Sequence, residues 1–258
     1  MILSLISSIK RLTLYGLNSV LFVFAATCQA DNISKDSVVL AVEDSWPPYA
    51  DSTGEGIATE IVRQALATMG IELFIKVSPY ARVLDEIEKG FVVGGYNVTR
   101  QASTQENFLF GEQALFTANA SFYFPASNAQ VNQYRSIADI PSGYTVGVII
   151  DYEYGNAFEQ HKNRFKEVYV SSQTQLINML KLGRIDSAIM FDEVATHTLK
   201  SMNLAGNTIQ KGPLNHTSDI YVAFSNSHAD APYFAEKLDA GIINIQRNGN
   251  YDKLFTNK

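Results

Sequence analysis

The feature that most constrains the fold is an order of strand-like and helix-like segments that occurs twice along the chain. In its first occurrence, short apolar runs predict strands over 37–43, 71–77 and 91–96. Amphipathic segments between these strands predict two helices, which end at Gly70 and Gly90 in the way that a glycine ends a helix. Strands that alternate with helices in this way predict a parallel sheet with helices on its faces.

The same order begins again in the second half of the chain. Apolar runs predict strands over 144–150, 167–170 and 186–191, with helical segments between them and after the third strand. Either Ser171 or Ser172 is predicted to cap one of these helices. Two such runs predict an α/β protein with two lobes.

Two further segments, 119–124 and 220–225, are rich in strand-forming residues and are predicted to cross between the lobes. If both cross, the helices predicted over 232–246 and from Tyr251 return the chain to the first lobe. The resulting prediction is lobe 1 over residues 31–120 and 219–258, and lobe 2 over residues 121–218.

The first thirty residues have the pattern of an export signal. Lys10 and Arg11 form a basic region, 12–26 is almost wholly apolar, and small residues precede a cleavage position at Ala30. We therefore predict that residues 1–30 are a cleaved signal peptide and that the mature protein is periplasmic. An uncleaved membrane anchor is an alternative that the sequence leaves open.

Composition excludes several classes of function. Cys28 is the single cysteine, so no disulfide and no thiolate zinc site can form within the chain; a lipidated Cys28 is a further alternative for the N-terminus. The net charge of −6 does not suit binding to a phosphate backbone. The four histidines have no metal-binding spacing, and no nucleotide-binding or hydrolase motif occurs. We therefore predict no metal, no cofactor and no nucleic-acid partner.

Six phrases of the sequence, in order, resemble bacterial extracellular solute-binding protein family 3, the periplasmic polar amino-acid receptors of ABC transporters. The phrases are VVLAVEDSWPPYA, GEGIATEIVRQALATMGI, GGYNVTRQASTQENFLFGE, IADIPSGYTVGVI, KLGRIDSAIMFDEVA and IYVAFSNS, and the resemblance covers nearly all of residues 36–258. It implies a two-lobed clamshell of the type II kind with a ligand cleft at the hinge, a monomer, and an inner-membrane ABC permease as partner.

The resemblance assigns ligand-binding positions after the first strand. Trp46 stands where the family has an aromatic residue that covers the ligand, next to a Pro-Tyr pair that ends in Tyr49. Glu43 stands at a position that often carries a ligand-contacting acid. The alternatives are a core tryptophan and a solvated carboxylate at the edge of the sheet.

The segment 94–99 resembles the family segment that holds the carboxylate of the ligand. Within it, Gly95 permits a close backbone approach, and Asn97 and Thr99 offer small polar side chains. We therefore predict that all three contact the ligand.

The arginine that binds the carboxylate of the ligand in the family is missing here. Ala102 stands at its position, while Arg100 comes two residues earlier. Arg100 and the helical Arg82 are both candidates for a substitute cation, and either is alternatively a surface charge.

In the second lobe, family members follow the first strand with small residues that open a helix N-terminus to the ligand, whereas this chain has acids and tyrosines. Asp151 and Glu153 would repel an anion, and Tyr152 and Tyr154 are candidates to line the cleft. Asp192 resembles the acid that binds the ammonium group of the ligand, with a helix N-cap as the alternative role.

The predicted function is capture of a small polar solute, an amino acid or a related amine, and its delivery to an ABC transporter. The missing arginine and the acids near the cleft favour a ligand with positive charge. Two alternatives remain: a clamshell enzyme of the dehydratase type, with Glu43 or Asp192 as its acid or base, and a receptor for a sensor protein.

Overall fold

The computed structural model describes residues 35–256. The predicted signal peptide, its cleavage near Ala30 and the alternatives at Cys28 lie outside the described residues and stay predictions. Within the described range, no helix combines the length and the apolar character needed to cross a membrane.

The described residues form nine strands and eight α-helices. The strands are β1 (Ser37–Glu43), β2 (Glu72–Ser78), β3 (Gly94–Thr99), β4 (Phe108–Phe110), β5 (Phe116–Pro125), β6 (Thr145–Ile149), β7 (Lys166–Val170), β8 (Ser187–Phe191) and β9 (Ile209–Ser225). The helices are α1 (Ile57–Ala67), α2 (Tyr80–Glu88), α3 (Ala102–Asn107), α4 (Gly155–His161), α5 (Gln173–Lys181), α6 (Asp192–Ser201), α7 (Ala231–Arg247) and α8 (Asn250–Thr256).

All nine strands belong to one sheet with two parallel blocks. β1 pairs in parallel with β2 and β3, which we call the first block, and β6 pairs in parallel with β7 and β8, the second block. The strand order β2-β1-β3-β9-β5-β8-β6-β7 places antiparallel β9 and β5 between the blocks. This topology confirms the predicted α/β class of two βαβ units joined by two crossover strands.

The crossover strands are longer than their sequences indicate. β5 has 10 residues and β9 has 17, and they pair from Phe116 opposite Ile220 to Pro125 opposite Ile209. The first half of β9 is polar and contains a proline and a glycine, so its strand character depends on pairing with β5 and not on its own composition. Irregular register next to Ser121 bends the pair at its middle.

The C-terminal helices pack against helix α1, which follows the first strand. α7 lies along α1, and Gly241 allows the two backbones to approach so closely that an added Cβ would overlap the carbonyl of Ala65. α1 buries the apolar face formed by Ala58, Ile61, Val62, Ala65 and Leu66. In the second block, Ser172 caps α5 by accepting a hydrogen bond from the amide of Gln175, which resolves the choice between the two serines.

The third strand also differs from the prediction. β3 begins at Gly94 instead of residue 91, because the chain leaves α2 through Gly90 and bends before it joins the sheet. Phe91 is therefore 71% exposed. At Gly94 an added Cβ would lie 2.6 Å from the carbonyl oxygen of Ala223, so the entry point requires a residue without a side chain.

Candidate functional site

A small cavity of about 10 Å³, room for about one water molecule, lies between the two parallel blocks, at the carboxyl ends of their strands. Its lining residues follow or end strands of both blocks: Trp46, Tyr80, Asn97, Thr99, Tyr152, Glu153 and Phe191. Open α/β sheets bind ligands at such carboxyl ends, where strand order changes direction. The position of the cavity therefore makes it the candidate ligand site.

Four aromatic rings form most of the cavity wall, and we call Trp46, Tyr80, Tyr152 and Phe191 the aromatic wall. The Trp46 and Phe191 ring centroids are 4.9 Å apart, and those of Tyr80 and Tyr152 are 4.7 Å apart, both edge to face. Trp46 is only 1% exposed. Such packing fixes the ring positions, so the wall is preformed.

Three buried polar atoms of the cavity lining have no hydrogen-bond partner among the described residues. Both the oxygen and the nitrogen of the Asn97 amide lack a hydrogen bond, as does the indole nitrogen of Trp46. Asn97 is 4% exposed and has a φ of 70°, a left-handed conformation that asparagine tolerates better than most residues. A buried polar atom without a partner costs about 1–3 kcal/mol, so a ligand that bonds to these atoms recovers that energy.

Glu43 lies behind the aromatic wall at the end of β1. The hydroxyl of Tyr152 donates to Glu43 Oε2 at 2.5 Å, while Glu43 Oε1 has no partner among the described residues. Burial raises the pKa of Glu43 to about 8, with the nearby Asp44 adding to the rise, although the bond from Tyr152 opposes it. The raised pKa of Glu43 favours its protonated form at neutral pH.

Glu153 joins the two blocks at the cavity. Thr99 Oγ1, at the end of β3, donates to Glu153 Oε2 at 2.9 Å. Ser103 Oγ, on α3, donates to the other carboxylate oxygen of Glu153. Glu153, which enters the cavity from the second block, thus accepts hydrogen bonds from two hydroxyl groups on the side of the first block.

A wider groove of about 720 Å³, which we call the acidic groove, shares Tyr152 and Glu153 with the cavity. Residues of α2, α3 and α4 and the loop before α4 line it. Its acidic residues are Asp85, Glu88, Asp151, Glu153 and Glu159, and its lining contains no lysine, arginine or histidine. The groove gives the cavity a negatively charged approach.

Both candidate arginines lie away from the cavity lining. Arg82 is on an exposed part of α2 and donates to Glu86 at 3.1 Å. Arg100 donates to the Gly111 carbonyl at 3.3 Å, and its guanidinium carbon lies 5.6 Å from the centre of the Tyr221 ring. Neither lines the cavity or the acidic groove.

Three other predicted site residues contact protein groups instead of the cavity. Asp192 begins α6 and accepts hydrogen bonds from Tyr123 at 2.9 Å and from Lys211 at 2.7 Å; the N-cap position belongs to Phe191, so the capping alternative is wrong. Tyr49 lies behind Trp46, with ring centroids 4.8 Å apart. Gly95 has no room for a side chain, because an added Cβ would lie 2.9 Å from the Ala41 carbonyl and from side chains of α2.

The sequence analysis missed two cavity residues, Tyr80 and Phe191. Each had a usable signal: Tyr80 follows Pro79, which stands before the first turn of α2, and Phe191 is the last residue of a predicted strand. The rule that sites form at carboxyl ends of parallel strands would have included Phe191. Among the described residues, no group of three histidine, cysteine or acidic side chains is placed to hold a metal ion.

The architecture is that of the periplasmic-binding-protein clamshells. An ancestral arginine-binding protein bound to arginine matches with a TM-score of 0.72 at 16% identity, over 86% of this chain and 97% of that chain. A histidine kinase sensor domain similar to periplasmic binding proteins matches with a TM-score of 0.72 at 14% identity, over 85% of this chain and 94% of that chain. An ancestral amino acid-binding protein, described as a precursor of cyclohexadienyl dehydratase, matches with a TM-score of 0.70 at 14% identity, over 86% of this chain and 94% of that chain.

Amino-acid-binding proteins recur among the similar structures, at identities of 14–20%. No protein-family profile matches the sequence, and no curated protein matches it. These likenesses establish the fold of the chain and not its ligand.

Proposed function

We propose that this chain is an exported solute-binding protein that captures a small polar solute, an amino acid or a related amine, and delivers it to an ABC transporter. The clamshell fold supports a binding role, since the similar structures include substrate-binding proteins of amino acid ABC transporters. The proposed binding site is the cavity, and the proposed lobes are residues 31–120 with 219–258, and residues 121–218.

One observation carries the proposal: residues of both blocks line a single cavity in which the Asn97 amide and the Trp46 indole nitrogen have no hydrogen-bond partner among the described residues. Asn97 comes from the first block and its amide is unsatisfied, while Phe191 and Glu153 enter from the second block. A solute in this cavity contacts both blocks at once. Such shared contact is what allows a ligand to favour the closed state of a hinged protein.

The experiment uses Trp46, the only tryptophan of the chain, as a reporter. Amino acids, polyamines and small organic acids are screened for changes in tryptophan emission and for a rise in melting temperature. A bound solute is expected to change the emission, because the indole lines the cavity, and to stabilise the folded chain by about 2.7 kcal/mol at a concentration of one hundred times its Kd.

Trp46→Phe tests the location of the site. This variant is expected to lose roughly ten-fold in affinity, measured by calorimetry, because the larger indole surface contributes to binding. Tyr221→Phe, whose ring lies beneath Arg100 and outside the cavity lining, is the control and keeps full affinity. Full affinity in Trp46→Phe would exclude Trp46 from the site, and a screen without any ligand would count against the binding role itself.

A second candidate function is an enzyme of the dehydratase type, which the environment of Glu43 favours. A buried carboxyl with a pKa of about 8 can donate a proton at neutral pH. Conversion of a bound solute to a new product, followed by NMR, would identify an enzyme, and recovery of the solute unchanged would identify a binding protein. A third role, as receptor for a sensor protein, predicts that deleting the gene abolishes a response to the solute but not its uptake.

A further inference from the structure

We infer that the solute is a small organic cation without a carboxylate of its own, such as a primary amine or a quaternary ammonium compound. This inference rests on the proposed function and narrows its ligand class. It follows from the aromatic wall, the unpartnered polar atoms of the cavity, the carboxylates around it and the cation-free lining of both the cavity and its groove.

The aromatic wall suits a positive charge. Tyr80 and Tyr152 approach each other edge to face across the cavity lining, and Trp46 and Phe191 do the same. The face of an aromatic ring is electron-rich and attracts an ammonium group within about 6 Å of the ring centre. Glu153 adds a full negative charge to the same lining.

An anionic group has no cationic partner in the lining of the cavity or the acidic groove. No lysine, arginine or histidine lines the cavity or the acidic groove. The hydroxyls of Thr99 and Ser103, which would suit a carboxylate, already donate to Glu153. Burying a ligand carboxylate without a cation would cost several kcal/mol of desolvation, so the site disfavours a zwitterionic amino acid.

The acidic groove extends the same charge pattern to the entrance. Asp85 and Glu159 are paired with lysines close to them in sequence, but no salt bridge among the described residues reaches Glu88, Asp151 or Glu153. A groove lined by one sign of charge concentrates ions of the opposite sign and accelerates their association.

The unpartnered polar atoms define the rest of the ligand. Asn97 Oδ1 can accept a hydrogen bond from an ammonium group, whereas Asn97 Nδ2 and Trp46 Nε1 can only donate. A hydroxyl or carbonyl oxygen on the ligand would accept those two bonds. Ethanolamine, glycinamide and choline combine a cation with a neutral oxygen and are therefore suitable probes.

Calorimetric titration of the full chain compares matched pairs that differ in the carboxylate. Glycinamide is compared with glycine, alaninamide with alanine, and agmatine with arginine, and ethanolamine and choline are measured alongside. In at least one pair the cation is expected to bind ten-fold or more tightly than its amino acid. The association rate of that cation is expected to fall as salt is raised, because the acidic groove is screened.

Two pairs of variants test which residues bind the positive charge of the ligand. Glu153→Gln is expected to weaken cation binding about ten-fold, while Glu236→Gln, which removes the same charge from an exposed position on α7, leaves it unchanged. Tyr80→Leu is expected to weaken it by a similar factor, while Tyr80→Phe keeps the ring and the affinity. Melting curves confirm that each variant is folded before titration.

The outcomes separate the inference from the proposed function. The inference and the proposed function are both supported if cations bind more tightly than their amino acids, and if Glu153→Gln and Tyr80→Leu weaken this binding while Glu236→Gln and Tyr80→Phe do not. Amino acids that bind as tightly as their amides or decarboxylated forms overturn the inference and leave the binding role intact. Absence of binding by every amine and every amino acid overturns both.

Discussion

At the scale of single residues, the carboxyl group of Glu43 lies where burial makes its ionisation unfavourable. Glu43 is fully enclosed at the end of β1 and faces the phenol rings of Tyr80 and Tyr152, with Asp44 next to it in the chain. The pKa values of both tyrosines lie well above their ordinary value, chiefly through burial. Among residues 35–256 no salt bridge involves Glu43, so its ionised form would lack a cationic partner there.

This burial predicts a pH dependence of stability. The pKa of Glu43 rises from 4.5 to about 8 on folding, so the folded state holds the proton more tightly than the unfolded state. The resulting stabilisation is complete below pH 4.5 and is lost as the pH rises through 8, with a slope of at most about 1.4 kcal/mol per pH unit. Urea unfolding at pH 5, 6, 7 and 8 measures this slope.

Glu43→Gln is expected to remove that slope, because the amide does not titrate. Glu236→Gln, at an exposed position of α7, serves as the control and keeps the slope of the unsubstituted protein. An unchanged slope in Glu43→Gln would assign the pH dependence to another group.

At the scale of elements, the first block depends on a close contact between two helices. Gly241 of α7 packs so tightly against α1 that any side chain would meet the backbone of Ala65. The helices must therefore separate if a methyl group is added at this position.

Gly241→Ala is expected to lower the free energy of unfolding by about 1–3 kcal/mol, since overpacking outweighs the better helix propensity of alanine. Gly206→Ala is the matched control: an added Cβ meets nothing within 4 Å there, and the change is expected to be close to neutral. Chemical denaturation of both variants measures the difference, and equal stabilities would show that the α1–α7 contact adjusts without cost.

Elements with a periodic apolar pattern could be predicted from the sequence, and elements formed by long-range pairing could not. α1, α5 and α7 carry their own apolar faces, and the structure places them within a few residues of the prediction. The first half of β9 and the short α3 and β4 lack such patterns. These elements form because chain segments distant in sequence provide hydrogen-bond partners for their backbone groups. Such pairing leaves no local sequence pattern from which to predict it.

The candidate site shows the same division. Trp46, Asn97, Thr99, Tyr152 and Glu153 were singled out in the sequence, and the structure brings them together around one cavity. Arg82 and Arg100 were candidate cations, but their surroundings depend on Glu86, Gly111 and Tyr221, which are distant or unremarkable in sequence. The direction of a long side chain is set by tertiary contacts, so sequence spacing alone could not decide between them.

At the scale of the whole molecule, side-chain hydrogen bonds join the two blocks at the cavity. Tyr152 donates to Glu43, and Glu153 accepts from Thr99 and Ser103. Under the proposed binding role, separation of the blocks would break these bonds, and the affinity for a solute would then depend on how strongly they favour the joined form.

Under the proposed binding role, removing these bonds in Tyr152→Phe/Glu153→Ala is expected to let the blocks separate, since the bonds to Glu43, Thr99 and Ser103 are then lost. Small-angle X-ray scattering would report a larger radius of gyration than in the unsubstituted chain. The control, Tyr169→Phe/Glu167→Ala, removes a similar bond between two residues of β7 within one block and leaves the radius unchanged. Equal radii for all three proteins would mean that the interblock bonds do not govern opening.

The crossover strand β9 has a consequence for how the molecule unfolds. Its last residues pair with β3 of the first block and with β4, and residues 209–220 pair with β5 toward the side of the second block. One strand therefore contributes backbone hydrogen bonds to both halves. Unfolding of either half removes hydrogen-bond partners from a strand that the other half also uses, so we expect the two halves to unfold as a single cooperative unit.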